Sequence, residues 1–382
     1  MSSVSRTLRV LAADDSAVMR GVMRTVFQLH AANEYKTLPR MELCGVARNG
    51  VEALEAVRTL APDVLLLDLE MPGLNGLAVL EKLRTIAPRL PVIMCSAHTQ
   101  RGARSTLEAL AAGAKDYVMK PGQQRDFAAA LDQLMEELLP KIAALAGTGM
   151  APMRNVRREL SPLHHKAGDR IELVVIGVST GGPSALETML PTLPEDFPVP
   201  IMLVQHMPKL FTGALADRLD RLCPLNVRQA RHGDILKPGT IWLAPGDSHM
   251  EIAASRGQHV VSLHHGPMLN SCKPSVDYLF RSAAEMYGAG ALALIMTGMG
   301  ADGLDGALAI RSAGGTVIAQ DQASSAVWGM PGRVSRAGLA EATVPLGLLA
   351  QELIRRTRAG RQVRNPAVPG VSIRQEVIHG VL

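Results

Sequence analysis

Short runs of almost unbroken apolar residues alternate with amphipathic stretches over residues 8 to 119. The runs LRVLAA, MELCGVA, DVLLLD, PVIMCS and DYVM are continuous rather than alternating in hydrophobicity, as parallel strands covered on both faces require. Helix-like segments lie between them, after Ser16 and from Gly50, Asn75 and Gln100, and a last one is expected from Gln123 to about Ala146. Five such strand–helix units with right-handed crossovers predict a flavodoxin-like, doubly wound domain on a five-stranded parallel sheet.

The pattern then lapses. GTGMAPMRNVRRELSPLHHKAGDR, residues 147 to 170, is small, basic and Pro-containing without apolar periodicity, and reads as a linker. Alternation resumes through IELVVIGV, PIMLVQ, NVRQA, TIWLAP, ALALIMTG and TVIAQ, which predicts a second doubly wound, mostly parallel α/β domain. The expected organisation is therefore a first domain over 1–146, the linker, a second domain over 171–358, and a poorly ordered tail over 359–382.

Composition narrows the classes. A chain of 382 residues exceeds one ordinary core, and 47% hydrophobic with 20% charged residues is ordinary for soluble protein. No window is apolar enough to insert in a membrane and no signal-like segment opens the chain, so a cytoplasmic place is expected. The four cysteines stand singly and read as reduced thiols. A net charge of +5 and only 3% aromatic residues argue against a nucleic-acid partner.

In an open parallel sheet, ligands bind beyond the carboxyl ends of the strands. The first strand ends in Asp14 and Asp15, the third in Asp68, the fourth in Ser96, and the fifth in Lys120 followed by Pro121. Carboxylates converging there need a hard cation, and Mg²⁺ with a phosphoryl group fits them. On this reading Asp68 is a nucleophile that forms an aspartyl-phosphate while Lys120 neutralises charge. The plainer alternative makes Asp14 and Asp15 helix caps and Asp68 a strand-end polar residue.

These motifs, DD, LLLDLEMPGLNG, CSA and KP, resemble those of two-component receiver domains over residues 8 to about 140. The resemblance implies phosphorylation of Asp68 by a histidine kinase. It further implies Mg²⁺ bound by Asp14, Asp15, Asp68 and the backbone carbonyl of Glu70, and phosphate sensing by Ser96 and Lys120. One departure is the segment HAANEYKTLPRM, longer than most receivers need.

In the second domain VVIGVSTGGPSALE places Ser179 on a glycine-flanked turn between a strand and a helix, the setting of a nucleophile elbow. Free N–H groups at the helix start can stabilise an oxyanion. A dinucleotide-binding loop fits less well, because Ser179 occupies the second glycine position of that motif. His206 ends the strand PIMLVQ and Asp302 lies in the glycine-rich turn after ALALIM, so both can meet Ser179 at one crevice. The order Ser, His, Asp differs from that of the α/β-hydrolases. Taken singly, His206 could be structural, Asp302 could cap the helix starting at Gly303, and Asp305 reads as a helix-start charge. The pairs His164-His165 and His264-His265 lack partners at zinc-like spacing, so no metal or other cofactor is expected in this domain.

GVSTGG, QHMP, GDILKPGTIWLAPGDSHM, CKPSVDYLFRSAA, TGMGADG and SSAVWGMPG together resemble the chemotaxis receptor glutamate methylesterases from about Ile171 to Arg358. That resemblance implies Ser179 as nucleophile, His206 as general base and acid, Asp302 as the residue orienting the imidazole, and backbone around Thr180, Gly181 and Met299 as the oxyanion loop. It implies methyl-accepting chemoreceptors as substrates, a chemotaxis histidine kinase as phosphodonor, deamidation of glutamines as a second activity, and a receiver that covers the crevice until phosphorylated. Ala301 stands where many relatives carry Asn, which bears on one polar contact. A monomer is expected, since no heptad or large apolar helix face forces a dimer. The rival functions are a DNA-binding output domain, a nucleotide-dependent oxidoreductase, and a phosphorylation-controlled scaffold with a vestigial serine site.

Overall fold

The computed structural model describes residues 6–32, 38–121, 127–146 and 170–359. Residues 147–169 of the linker, 360–382 of the tail, 33–37 of the long segment after His30, the first residues of the helix expected from Gln123, and the pair His164-His165 lie outside the described residues.

In the first unit the elements follow as β1 (Leu8–Ala13), α1 (Ala17–Ala32), β2 (Met41–Ala47), α2 (Gly50–Leu60), β3 (Val64–Asp68), α3 (Gly76–Ile86), β4 (Val92–Ser96), α4 (Gln100–Ala111), β5 (Asp116–Met119) and α5 (Phe127–Ala146). The sheet order β2-β1-β3-β4-β5, parallel throughout, is that of the doubly wound fold anticipated above. Helix starts obey local chemistry. Asn49 accepts from Glu52 N at 2.9 Å while Glu52 Oε2 accepts from Arg48 N at 2.9 Å, and the side chains of Asn75 and Thr99 cap α3 and α4 in the same way.

The second unit runs β6 (Leu173–Val178), α6 (Gly182–Met189), β7 (Ile201–Gln205), α7 (Lys209–Leu222), β8 (Asn226–Gln229), β9 (Thr240–Leu243), β10 (His249–Ser255), β11 (Gln258–His264), α8 (Val276–Tyr287), β12 (Ala291–Ile295), α9 (Leu304–Ser312), β13 (Thr316–Gln320), α10 (Met330–Arg336), β14 (Ala342–Val344) and α11 (Leu346–Arg358). Seven strands form one parallel sheet, β14-β13-β12-β6-β7-β9-β8. The antiparallel hairpin β10–β11 has no counterpart in the expected strands. Its tight turn is Arg256-Gly257, both at positive φ, and an arginine there gives none of the Asn-Gly or Asp-Gly signal that announces such turns.

The two units pack against each other. Residues of α4 and β5, among them Leu107, Leu110 and Tyr117, share a buried apolar cluster with Leu186 of α6 and Phe211 and Leu215 of α7. The Tyr117 and Phe211 rings stack with centroids 4.7 Å apart and planes 7° from parallel. Ser184 Oγ donates to Leu110 O at 2.9 Å and Thr180 Oγ1 to Asp116 Oδ2 at 2.8 Å. No helix among the described residues is long and apolar enough to cross a membrane.

Candidate functional site

The first site lies beyond the carboxyl ends of β1, β3 and β5. Asp14 and Asp68 are buried and Asp15 is exposed, and each offers an oxygen within 4.8 Å of the others. Lys120 Nζ sits 2.8 Å from both Asp14 Oδ2 and Asp68 Oδ2. Burial pushes the Asp68 carboxyl above its usual range, with Lys120 opposing. Burial also works against the Lys120 ammonium, yet hydrogen bonds from it to the two carboxylates outweigh that and raise it. Glu70 and Ser105 line the same crevice. Three carboxylates against one ammonium leave excess negative charge, and an all-oxygen donor set suits a hard divalent cation. Asp14 Oδ1 also accepts from Ser16 N at 2.9 Å, so the capping role and membership of the cluster coexist.

Ser96 faces elsewhere. Its buried hydroxyl accepts from Thr106 Oγ1 at 2.7 Å and points its own proton toward Ala97 O and Gly102 O, at 3.3 and 3.4 Å. The side chain is thereby tied to α4, the helix that packs on the second unit.

The second site lies at the carboxyl ends of β6, β7 and β12. Ser179 follows β6, and Gly181 turns the chain into α6 at φ 76°, a left-handed conformation that glycine adopts without strain. A Cβ on Gly298 would lie 2.8 Å from Ser179 Cβ, so the loop after β12 can approach the serine only as glycine. Val178 and Gln205 are register partners and His206 N donates to Val178 O at 3.2 Å. Ser179 and His206 therefore leave neighbouring strands at the same level.

Asp302, buried in the loop after β12, pairs with His206 through Oδ2 and Nε2 at 2.8 Å. It does not cap α9, whose N-cap is Gly303 without a side-chain bond. It sits on the start of α8 instead, where Oδ2 accepts from Val276 N at 2.7 Å and Oδ1 from Ser275 Oγ at 2.7 Å. Burial pushes the Asp302 carboxyl up, but the His206 ring and the α8 donors outweigh it and hold it at about 2. For His206, burial opposes charge, yet the bonds to Asp302 and Cys272 prevail and raise the imidazole to about 10. Asp305 lies in the first turn of α9 and pairs with Arg281 at 3.3 Å.

Several neighbours escaped the sequence. Gln205 Nε2 donates to Ser179 O at 3.0 Å and to His206 O at 3.2 Å, linking the backbones of both residues. Thr297 Oγ1 donates to Thr180 O at 2.9 Å. Cys272 Sγ lies 3.7 Å from His206 Nδ1. Ser275 could have been found, since a serine after proline with an acidic residue two positions on is an N-cap signal. Nothing in the spacing marked Gln205 or Cys272. Of the loop residues, Met299 packs against the core that α1 and α5 build on the first sheet, and Thr180 binds Asp116. The pair His264-His265 is taken up by the hairpin, His264 beside Glu251 at 3.4 Å and His265 Nδ1 near Asp247 O at 3.0 Å.

Residues 10–132 match the response regulator receiver domain and residues 174–353 match CheB methylesterase. The chain is 43% identical over 370 residues to the protein-glutamate methylesterase/protein-glutamine glutaminase of Nocardioides sp. (strain ATCC BAA-499 / JS614), covering 94% of this chain and 98% of that one. It is 42% identical over 356 residues to the protein of the same name from Trichodesmium erythraeum (strain IMS101), covering 91% and 98%. Among solved structures, it is similar to the Thermotoga maritima CheB methylesterase catalytic domain at 43% identity, covering 48% of this chain and 98% of that one, with a TM-score of 0.48.

Proposed function

This chain belongs to the CheB methylesterase family, and we propose that it is a phosphorylation-activated hydrolase that demethylates glutamate methyl esters, and deamidates glutamines, on methyl-accepting chemoreceptors. The observation that carries the reading is the His206–Asp302 pair, 2.8 Å apart, beside Ser179 on its strand-to-helix turn. In this reading Asp302, fixed by Ser275 and Val276, holds Nε2 of the imidazole, and Nδ1 is the nitrogen that takes the Ser179 proton. Ser179 Oγ attacks the ester carbonyl, and backbone N–H groups around Thr180, Gly181 and Met299 bind the oxyanion. The imidazolium returns its proton to the leaving methoxide, giving methanol and an acyl-enzyme. Water, deprotonated by His206, then releases the glutamate, and with a glutamine substrate ammonia leaves in the first step.

The same reading makes Asp68 the phosphoacceptor for a chemotaxis histidine kinase. Asp14, Asp15, Asp68 and the Glu70 carbonyl would hold Mg²⁺, whose charge offsets that developing on the transferring phosphoryl group. Lys120 screens Asp14 and Asp68 and then contacts the phosphate, to which Ser96 turns on leaving Thr106. We read the contacts of α4 and β5 with α6, α7 and Thr180 as the closed state that phosphorylation opens. The cytoplasm and a monomeric chain belong to the same reading. Methanol release from a methylated receptor, measured with and without a small phosphodonor, tests it: release that the donor stimulates is expected, and none under either condition rejects it.

A further inference from the structure

The free nitrogen of the His206 ring is met by a thiol. Cys272 Sγ lies 3.7 Å from Nδ1, and His206, Cys272 and Asp302 each offer a ligand atom within 4.8 Å of the others. In a tetrahedral zinc site, Zn–N near 2.0 Å and Zn–S near 2.3 Å set the N···S edge at about 3.6 Å. The hydrogen-bonded contact of 3.7 Å is close to that edge, so an ion can replace the bridging proton with little movement of either side chain. The opposite ring nitrogen adds a second, independent feature. Nε2 is engaged by Asp302 Oδ2 at 2.8 Å, the carboxylate contact that fixes the tautomer of a metal-binding histidine and aims its other lone pair at the ion.

The thiol is held in place. Leu269 and Cys272 exchange backbone hydrogen bonds of 3.2 and 2.8 Å, and Asn270 Nδ2 donates to Asp277 Oδ2 at 2.9 Å. Between them Asn270 and Ser271 take φ of 52° and 60°, a left-handed turn that carries Cys272 back over the ring.

We propose that His206 Nδ1 and Cys272 Sγ form a reversible inhibitory site for a thiophilic divalent cation, Zn²⁺. On binding, the thiol proton and the Nδ1 proton of the imidazolium pass to solvent, a Zn–S and a Zn–N bond form in place of two of the ion's waters, and water keeps the remaining positions. Two protein ligands make a weak and therefore reversible site. Nδ1 can then no longer take the Ser179 proton, a consequence that rests on the esterase reading, whereas the binding itself does not. The two such clusters among the described residues select different ions, because the oxygen donors of Asp14, Asp15 and Asp68 suit Mg²⁺ and the N/S pair suits zinc.

The test uses the full chain with saturating Mg²⁺, acetyl phosphate and a non-chelating phosphine reductant. Zn²⁺ should suppress methanol release, and EDTA followed by fresh Mg²⁺ should restore it. Cys272→Ala and Cys272→Ser, each scored against its own zinc-free rate, should need about ten-fold more zinc or beyond. Independently of activity, Co²⁺ added to the full chain should give a thiolate-to-cobalt charge-transfer band that persists in Ser179→Ala and is lost in both Cys272 variants. Equal zinc sensitivity in the Cys272 variants, or cobalt binding without the thiolate band, overturns the proposal. A thiolate band in a chain without esterase activity rejects the esterase reading and leaves the metal site standing.

Discussion

Thr180 Oγ1 donates a 2.8 Å hydrogen bond to Asp116 Oδ2 across the boundary between the two sheets. Thr180 directly follows Ser179, so the first unit is fastened to the residue beside the proposed nucleophile. Both partners are buried. Asp116 is in turn braced by Tyr117 N at 2.8 Å and by Lys141 at 3.6 Å. Burial works against the Lys141 charge, and Asp116 and Glu137 outweigh it. Water is kept from this contact only while the units stay together.

Thr180→Val keeps the shape of the side chain and deletes the donor. An Asp116 oxygen is then unsatisfied in the closed state and solvated in the open one, a difference of about 1.5–3 kcal/mol for a bond to a charged group. Opening should rise about ten-fold or more. The unphosphorylated rate of methanol release should climb and the stimulation by acetyl phosphate should shrink. An unchanged unphosphorylated rate would remove this contact from the closing mechanism.

Thr106→Val acts one step upstream. Without the 2.7 Å bond from Thr106, the Ser96 hydroxyl is free of one hold on α4 and can turn to a phosphate at lower cost. Less acetyl phosphate should be needed for half-maximal activation, by a few-fold, in line with a neutral hydrogen bond worth about 1 kcal/mol. A titration curve that coincides with that of the parent would rule out this coupling.

Most of the fold could be read from the apolar runs, because strands buried on both faces leave an unbroken signature and each acidic residue at a strand end was found where the runs stop. The acidic cluster followed directly from those positions. The second site was harder. Ser179 announces itself by its glycines, but His206 and Asp302 needed the family resemblance, since contacts 96 residues apart leave no local trace. The placement of Asp302 on α8 rather than α9 depends on which helix start the loop reaches, and that is a matter of tertiary packing. The hairpin β10–β11 was hidden by its Arg-Gly turn and histidine-rich strands. Cys272 and Gln205 open the stretches CKPSVDYLFRSAA and QHMP, but neither residue type announces a role there, and each is defined by what lies beside it.

His206 sets the pH dependence. Its pKa is raised, to about 10, by Asp302 and Cys272 against the effect of burial, and a base must be unprotonated to act. The kcat/KM of the unphosphorylated chain should therefore still rise with pH above the ordinary imidazole value near 6.5. Removing the sulfur in Cys272→Ala withdraws one of the stabilising partners and should move the midpoint to lower pH. A midpoint that stays fixed would show that Cys272 does not act on the ring.

Asp302→Asn leaves the ring near its place but replaces one accepting oxygen of the carboxylate by an NH2 donor, so the tautomer is no longer selected. A loss in kcat on the order of 10⁴-fold is expected, with KM little altered. Steady-state kinetics on methylated receptor decide it, and a loss of less than about ten-fold would mean that Asp302 only braces α8.

The most direct test of the account is methanol release from methylated receptor by the full-length Ser179→Ala chain, with acetyl phosphate and Mg²⁺ present. The account predicts a fall on the order of 10⁶-fold against the parent chain, with phosphorylation of Asp68 intact. Release at a substantial fraction of the parent rate would contradict it.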